Sequence, residues 1–549
     1  MSASISVLTP KGLRLLNLFV QISLLFVAAC SLPKKSTDTY GSKNTGAAFL
    51  RHNQLAEKLL HIQQSADVCP TALTEQFVIQ LQKKVELEDW KNPIRISGKA
   101  GSWEINFHDE DLDRQGDPEW SPSVFEKFTA ASSVKVEGYN QIVAERGAGV
   151  PIVLAYENID QLRAERGFRP SNGLYVPGTL VLEFGKPTSP GQPTPVRCRI
   201  FNTFTARTAK LGGRSVKLAY HLTAAVESSL DNKYILKNAL AGLIKPGVHE
   251  EKDMGLFGLT SFVPEKIPVV FVHGLDSAPH IWRNAVNEIF ADPKLNERYT
   301  PLLFMYPSGM AVPMAAAHLR RSLDLYRSRW DPQHRASGFD QMVIVGHSMG
   351  GLLTRLQVMD SGEDLWKAFF SKPPSQITWI EDDDKVRLEQ SLKFSSYPSV
   401  TRVVFVAVPH KGSEIADLGI VRLAIRLIRV PTNTAKYVAQ AMTQETSLIN
   451  PALLRFHALG MRSVDMLSPQ HPYFIAMNKR AIKTPFHSIV GNRGKDLGDK
   501  SSDGIVPYWS SHLPGAISEE IVPYGHRCTL KKETVEEISR ILHLHLAER

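Results

Sequence analysis

The chain has 549 residues, 43% hydrophobic and 22% charged, which excludes a disordered chain and exceeds one ordinary domain, so two domains are expected. Its formal charge of +9 at pH 7 is modest for that length. The charge suits an anionic membrane surface, but no nucleic-acid-binding motif accompanies it, so no nucleic-acid partner is expected and solvated surface is the default explanation.

Lys11 and Arg14 precede an apolar run, Leu15 to Ala29, interrupted by Asn17, Gln21 and Ser23. The run is too short and polar for a membrane span and has the layout of an export signal. It ends in Val27-Ala28-Ala29-Cys30, which resembles the lipobox of bacterial lipoproteins. The resemblance implies removal of residues 1–29 and acyl chains on Cys30. Ser31 follows rather than Asp, which implies an outer-membrane destination in a bacterial cell envelope. The alternative is an ordinary cleaved signal beside a coincidental cysteine. With Cys30 set aside, Cys69, Cys198 and Cys528 allow one disulfide at most, and buried small hydrophobes are the expected role of all three. No cysteine spacing resembles a metal site.

Residues 30–45 are small and polar, as a tether is. Helical periodicity follows in Ala47–Gln64 and Ala72–Trp90. The segment "SWEINFH" then alternates, with Trp103, Ile105 and Phe107 on one face of a strand. Further strands are predicted at Val134–Gly138, Pro151–Tyr156, Thr179–Phe184, Val196–Phe204 and Val216–Ala225, with turn signals between some of them. Residues 46–260 therefore read as an accessory domain, helices first and then a mostly antiparallel, β-sandwich-like part.

From Ile267 the pattern changes to alternating β and α. "IPVVFVHG" is a buried strand, Ser277–Phe290 a helix, "TPLLFMYPS" a strand and Met314–Ser328 a helix. The strands "MVIV", "RVVFVAVPH", "FHSIVG" and "EEIVPYGH" follow, and Glu533–Ala547 closes the chain as a helix. Strands separated by helices imply a mostly parallel sheet with helices on both faces, spanning 261–549.

After Val345 comes Gly346-His347-Ser348-Met349-Gly350, a G-x-S-x-G between a strand and a helix. Such a turn lifts a serine hydroxyl clear of the sheet in strained backbone geometry. Over about Ile267–Arg549 the chain resembles the α/β-hydrolase family, particularly its lipases and esterases. Four segments carry the likeness in the family's order: "FVHGLDS", "GHSMGG", "SSDGIVP" and "YGHRCTL". The resemblance implies an α/β-hydrolase fold and a triad of Ser348, Asp503 and His526. It also implies an oxyanion hole made by the backbone N–H groups of Leu275 and Met349.

The residue types suit the chemistry. Serine needs a base to take its proton during attack, imidazole titrates near neutrality, and a carboxylate fixes the imidazole tautomer. No cofactor is expected. His347 and His410 read as packing residues, and His273 as support for its turn; His512, His543 and His545 lack a matching strand-end context. Glu414 and Asp417 also follow a strand but are set behind Asp503. Asp496 and Asp499 are attributed to a solvated loop rather than to calcium. An insertion at about 414–467 contains a helix with Arg422, Arg426 and Arg429 on one face, either an ordinary core helix or a lid.

The function expected is a membrane-tethered serine hydrolase of lipid or acyl esters. Acyl transfer through the same triad and a non-enzymatic envelope scaffold are the alternatives.

Overall fold

The computed structural model describes residues 45–65, 72–85, 92–107, 125–156, 174–204, 206–230, 254–260, 262–377, 380, 382–412, 446–455, 467–494 and 501–548. Cys30, Cys69, Glu414, Asp417, the arginine-bearing helix of the insertion, Asp496 and Asp499 lie outside the described residues. Two compact units divide the chain, Met1–Gln54 and Leu55–Arg549, and the packing described below is within the second. Among the described residues no helix is long and apolar enough to cross a membrane.

Among the described residues the first half carries helices α1 (Thr45–Ser65) and α2 (Ala72–Val85), a third helix near its end, and ten strands. The strands are β1 (Ile94–Gly98), β2 (Gly101–Asn106), β3 (Lys127–Ala130), β4 (Ala144–Glu145), β5 (Val150–Tyr156), β6 (Leu174–Phe184), β7 (Thr194–Asn202), β8 (Thr208–Leu211), β9 (Arg214–Lys217) and β10 (Tyr220–His221). Six of them form one sheet in the order β1-β2-β7-β6-β5-β3. All its neighbours are antiparallel except β2 and β7. Trp103, Ile105 and Phe107 are all buried, as their alternation predicts.

Among the described residues, helices and a short hairpin cover the six-stranded sheet. Leu55 and Leu59 of α1 and Phe77 and Leu81 of α2 share a core with Ile96, Trp103, Ile152 and Leu154. The alternate residue Val153 packs with Ala224 and Ala225 of helix α3 (Leu222–Leu230). Helices thus supply much of the apolar cover, and Ala209 and Leu211 of the β8–β9 hairpin add to it against Val181 of β6 and Phe201 of β7. The strand expected over Val216–Ala225 breaks for a local reason. His221 Nδ1 accepts the N–H of Ala224 at 3.1 Å, a side-chain cap that starts α3 at Leu222, directly after β10. Residues 134–138 are irregular rather than a strand, and α2 is described only to Val85.

The second half holds β11 (Gly255–Gly258), β12 (Ile267–Val272), β13 (Tyr299–Met305), β14 (Met342–His347), β15 (Val400–Val406), β16 (Phe486–Gly491) and β17 (Ser518–Val522). Their order is β11-β13-β12-β14-β15-β16-β17. All neighbours are parallel except β11 with β13. The inner strands read as unbroken apolar runs because both faces are covered. Val269, Phe271, Val343 and Val345 share a core with Trp282 and Val286, which lie at and in α4 (Arg283–Ala291), and with Ile541. Val270, Val272 and Ile344 face Leu319 of α5 (Val312–Trp330) and Leu352 of α6 (Met349–Arg355). Ile541 belongs to the last helix, α7 (Lys532–Ala547). This is an α/β-hydrolase fold, preceded by a smaller β-rich accessory region.

Candidate active site

Strand β12 has β13 on one side and β14 on the other, so the winding reverses there, and the carboxyl ends of β12 and β14 form the switch point where open α/β sheets place their ligands. His273-Gly274-Leu275 leaves β12 at this point, and Ser348 follows β14.

Ser348 has φ 54° and ψ −126°, a region that costs an L residue about 1–3 kcal/mol and persists only where neighbours hold it. Two main-chain bonds do so here, Ser348 N–H to the Val406 oxygen at 3.0 Å and Gly351 N–H to the Ser348 oxygen at 2.9 Å. The β12 turn lies directly against this elbow. A Cβ on Gly274 would come within 2.9 Å of the Ser348 Cβ, so glycine is required there. Leu275 is the next residue, and Met349 opens α6, where first-turn N–H groups have no intrahelical partner.

The structure brings Ser348, His526 and Asp503 together. The Ser348 hydroxyl lies 2.8 Å from His526 Nε2, and His526 Nδ1 lies 2.7 Å from Asp503 Oδ2. An ionised carboxylate accepts at Nδ1, so the network assigns the proton to Nδ1 and leaves Nε2 free to accept from the serine. Asp503 is 1% exposed. Its other oxygen, Oδ1, accepts the N–H groups of Ile505 at 2.8 Å and Val506 at 2.6 Å, so the carboxylate is oriented as well as buried.

Local chain geometry explains how two loops converge. Asp503 sits in a turn in which its own N–H bonds the Val506 oxygen, and His526 N–H bonds the Asp503 oxygen at 3.1 Å. Both loops cross the end of β16 at Gly491. A Cβ there would be 2.9 Å from both the Asp503 Cβ and the Tyr524 oxygen.

The remaining histidines fall outside the triad. His347 and His273 are buried, and burial pushes them down to about 3 and about 4. His273 Nδ1–H donates to the Gly274 oxygen at 3.0 Å, the turn-supporting role its position predicts. His410 is buried with its ring edge-on to Phe405. His512 pairs with Glu519 and His543 with Asp292, each at 2.8 Å, and His545 bonds Tyr299. Cys198 and Cys528 are buried free thiols, as expected of small hydrophobes.

Two supports were not anticipated. Tyr306 donates its hydroxyl to the His273 oxygen at 2.8 Å and stacks on that ring, and Ser308 Oγ accepts the Asp276 N–H at 3.2 Å. Both follow β13 in "FMYPS", so their place at the carboxyl end of a parallel strand was the available signal. Among the described residues no three His, Cys, Asp or Glu side chains come together to hold a metal ion.

No protein-family model matches the chain, and no curated protein does. Several solved structures match over about half of it. The Staphylococcus hyicus lipase is 13% identical with a TM-score of 0.31, covering 53% of this chain and 97% of that one. The mature Bacillus licheniformis lipase is 16% identical with a TM-score of 0.28, covering 52% and 97%. A metagenomic carboxyl esterase is 14% identical with a TM-score of 0.28, covering 58% and 91%. Likenesses this distant carry no functional weight, and the chemistry below rests on the chain's own residues.

Proposed function

We propose that the chain is a serine hydrolase of carboxylic esters, with lipid or acyl esters as its substrates. The observation that carries this is the unbroken hydrogen-bonded series from the Ser348 hydroxyl through His526 to buried Asp503, on a serine held at positive φ. In the proposed reaction the Ser348 Oγ attacks the ester carbonyl carbon while His526 Nε2 takes the hydroxyl proton. The carbonyl π pair moves onto oxygen, and the N–H groups of Leu275 and Met349 receive that oxyanion. Loss of one such donor costs about 3–4 kcal/mol of transition-state stabilisation in comparable sites. His526 then gives its proton to the departing alkoxide as the C–O bond breaks, leaving an acyl-Ser348. Water, deprotonated by the same Nε2, attacks the acyl carbon, and the Ser348–acyl bond breaks as the proton returns to Oγ. Asp503 accepts from Nδ1 throughout and stabilises the imidazolium.

The preference for lipid esters is supported by the lipobox resemblance at Val27–Cys30, since two or more acyl chains on Cys30 would hold the enzyme stably on an envelope membrane. Turnover of nitrophenyl esters of graded acyl length, beside phospholipids, tests the substrate class. Wild type should turn over one set at least, with Ser348→Ala below about a hundredth of its rate; no turnover of either set would defeat the ester reading. The mass of the N-terminal peptide from the membrane fraction tests the anchor, and an unmodified Cys30 would defeat it.

A further inference from the structure

Helix α4 starts one turn after the β12 loop and has the accessory region docked along it. Phe204 packs on Phe290 with ring centroids 5.1 Å apart. Two buried asparagines, Asn284 at 2% and Asn287 at 1% exposure, make the polar part of the joint. Asn287 Nδ2–H donates to the Gln141 oxygen at 3.0 Å. Its Oδ1 accepts the Thr223 hydroxyl at 2.8 Å, and Thr223 Oγ1 accepts the Val143 N–H at 2.7 Å. These bonds tie the accessory region to α4 and do not extend to the triad.

Asn284 differs. Its Oδ1 accepts the Asn140 N–H at 3.4 Å, and its Nδ2 donates to two carbonyls from opposite halves of the chain. One is Gly138 at 3.3 Å, in the accessory region. The other is Leu530 at 2.7 Å, at the end of the short 3-10 turn Cys528–Leu530 that begins two residues past His526. The Cys528 side chain is fully buried in the same core as Trp282 and Val286, so the turn is anchored on this side. A single amide NH₂ therefore joins the accessory loop at 138–140 to the loop that presents the triad histidine.

We propose that Asn284 is a positioning residue for His526, and that docking of the accessory region on α4 acts on the Ser348 centre through it. The inference rests on the hydrolase reading above. The accessory loop holds the amide plane, the amide holds the Leu530 carbonyl, and the loop in between keeps Nε2 at hydrogen-bond distance from Ser348. Asn284 is buried with its amide bonded to Asn140, Gly138 and Leu530, so its loss should slow the chemical step and leave substrate binding alone.

The test uses the full-length protein and a short soluble nitrophenyl ester, with kcat expressed per active site after fluorophosphonate titration to completion. Asn284→Ala should lower kcat about tenfold or more, as small displacements of a catalytic group do, with KM changed by less than about twofold. Asn287→Ala breaks accessory bonds of the same kind, so it should lower the melting temperature comparably and hold kcat within about threefold. Asn284→Ser keeps a short donor and should fall between wild type and Asn284→Ala, which also serves if the alanine variant does not fold. Equal kcat losses at positions 284 and 287, no loss in either Asn284 variant, or a loss confined to KM would each overturn the proposal. A wild-type protein that neither turns over ester nor takes up fluorophosphonate would overturn the hydrolase reading and this inference with it. An active wild type with unaffected Asn284 variants would overturn this inference alone.

Discussion

His347 Nε2–H donates to the main-chain oxygen of His526 at 2.8 Å, with the two rings 4.9 Å apart. Burial, and secondly the neighbouring His526, push His347 down to about 3, so its ring is neutral at ordinary pH and carries the single hydrogen this bond requires. His347 thus holds His526 from outside the Ser348–His526–Asp503 series. His347→Phe keeps ring bulk and removes the donor. We expect it to lower stability by about 1–3 kcal/mol through the orphaned carbonyl and to reduce kcat more than it raises KM. Urea unfolding and ester kinetics check this; wild-type values in both would contradict it.

Asp503→Asn tests the orientation of the triad base. The substituted side chain can still accept the Ile505 and Val506 N–H groups through its oxygen, so the turn should survive. Its NH₂ then faces His526 Nδ1 and favours the tautomer with Nε2–H, which cannot accept from Ser348. We expect kcat to fall by about 10⁴ with a nearly native melting temperature. A loss of less than tenfold would remove Asp503 from its assigned place.

Gly491 is a packing requirement of the same site. A methyl group there would press on the Asp503 Cβ and the Tyr524 oxygen, each at 2.9 Å, and the backbone oxygen has little room to yield. Gly491→Ala should cost about 1–3 kcal/mol of stability as overpacking does, and should also reduce kcat because the acid and histidine loops are pushed apart. Thermal unfolding with normal kcat per active site would show that the loops are not coupled at this point.

Acid should destabilise the protein from a definite pH downward. His273, His347 and His410 are each buried, and burial holds them at about 4, about 3 and well below the ordinary value respectively. In the unfolded chain they titrate near 6.5, so between that pH and the folded values the unfolded state binds more protons. Their contribution is complete above about pH 6.5 and is lost progressively as pH falls toward 4. Between pH 7.5 and 5 the loss from His273 and His347 alone should be on the order of 4 kcal/mol, about 2 kcal/mol each, and His410 adds to it in the same direction. Denaturant midpoints across that range measure it, and a flat or rising profile on acidification would contradict it.

The strand ends of the second half were legible because parallel strands covered on both faces leave continuous apolar runs, and His273-Gly274 and Ser348 directly follow such runs. The acid and histidine turns were readable from "SSDGIVP" and "YGHRCTL" for their order, although their convergence over Gly491 is purely spatial. In the first half, alternation marked the strands but said nothing of what covers them, which among the described residues is helices α1, α2 and α3 together with the β8–β9 hairpin. The start of α3 was hidden because its signal is one side-chain bond from His221 to Ala224, not a period. The tie from Asn284 to Leu530 spans 246 positions, and a buried asparagine inside an amphipathic helix does not announce its partner.

The most direct measurement is the fate of a serine-directed fluorophosphonate on the full-length protein, read by peptide mass. The account predicts a single phosphonyl adduct on Ser348, absent in Ser348→Ala and formed more than about a hundredfold more slowly in His526→Ala. Folded wild-type protein that forms no adduct, or forms one on a residue other than Ser348, would contradict it.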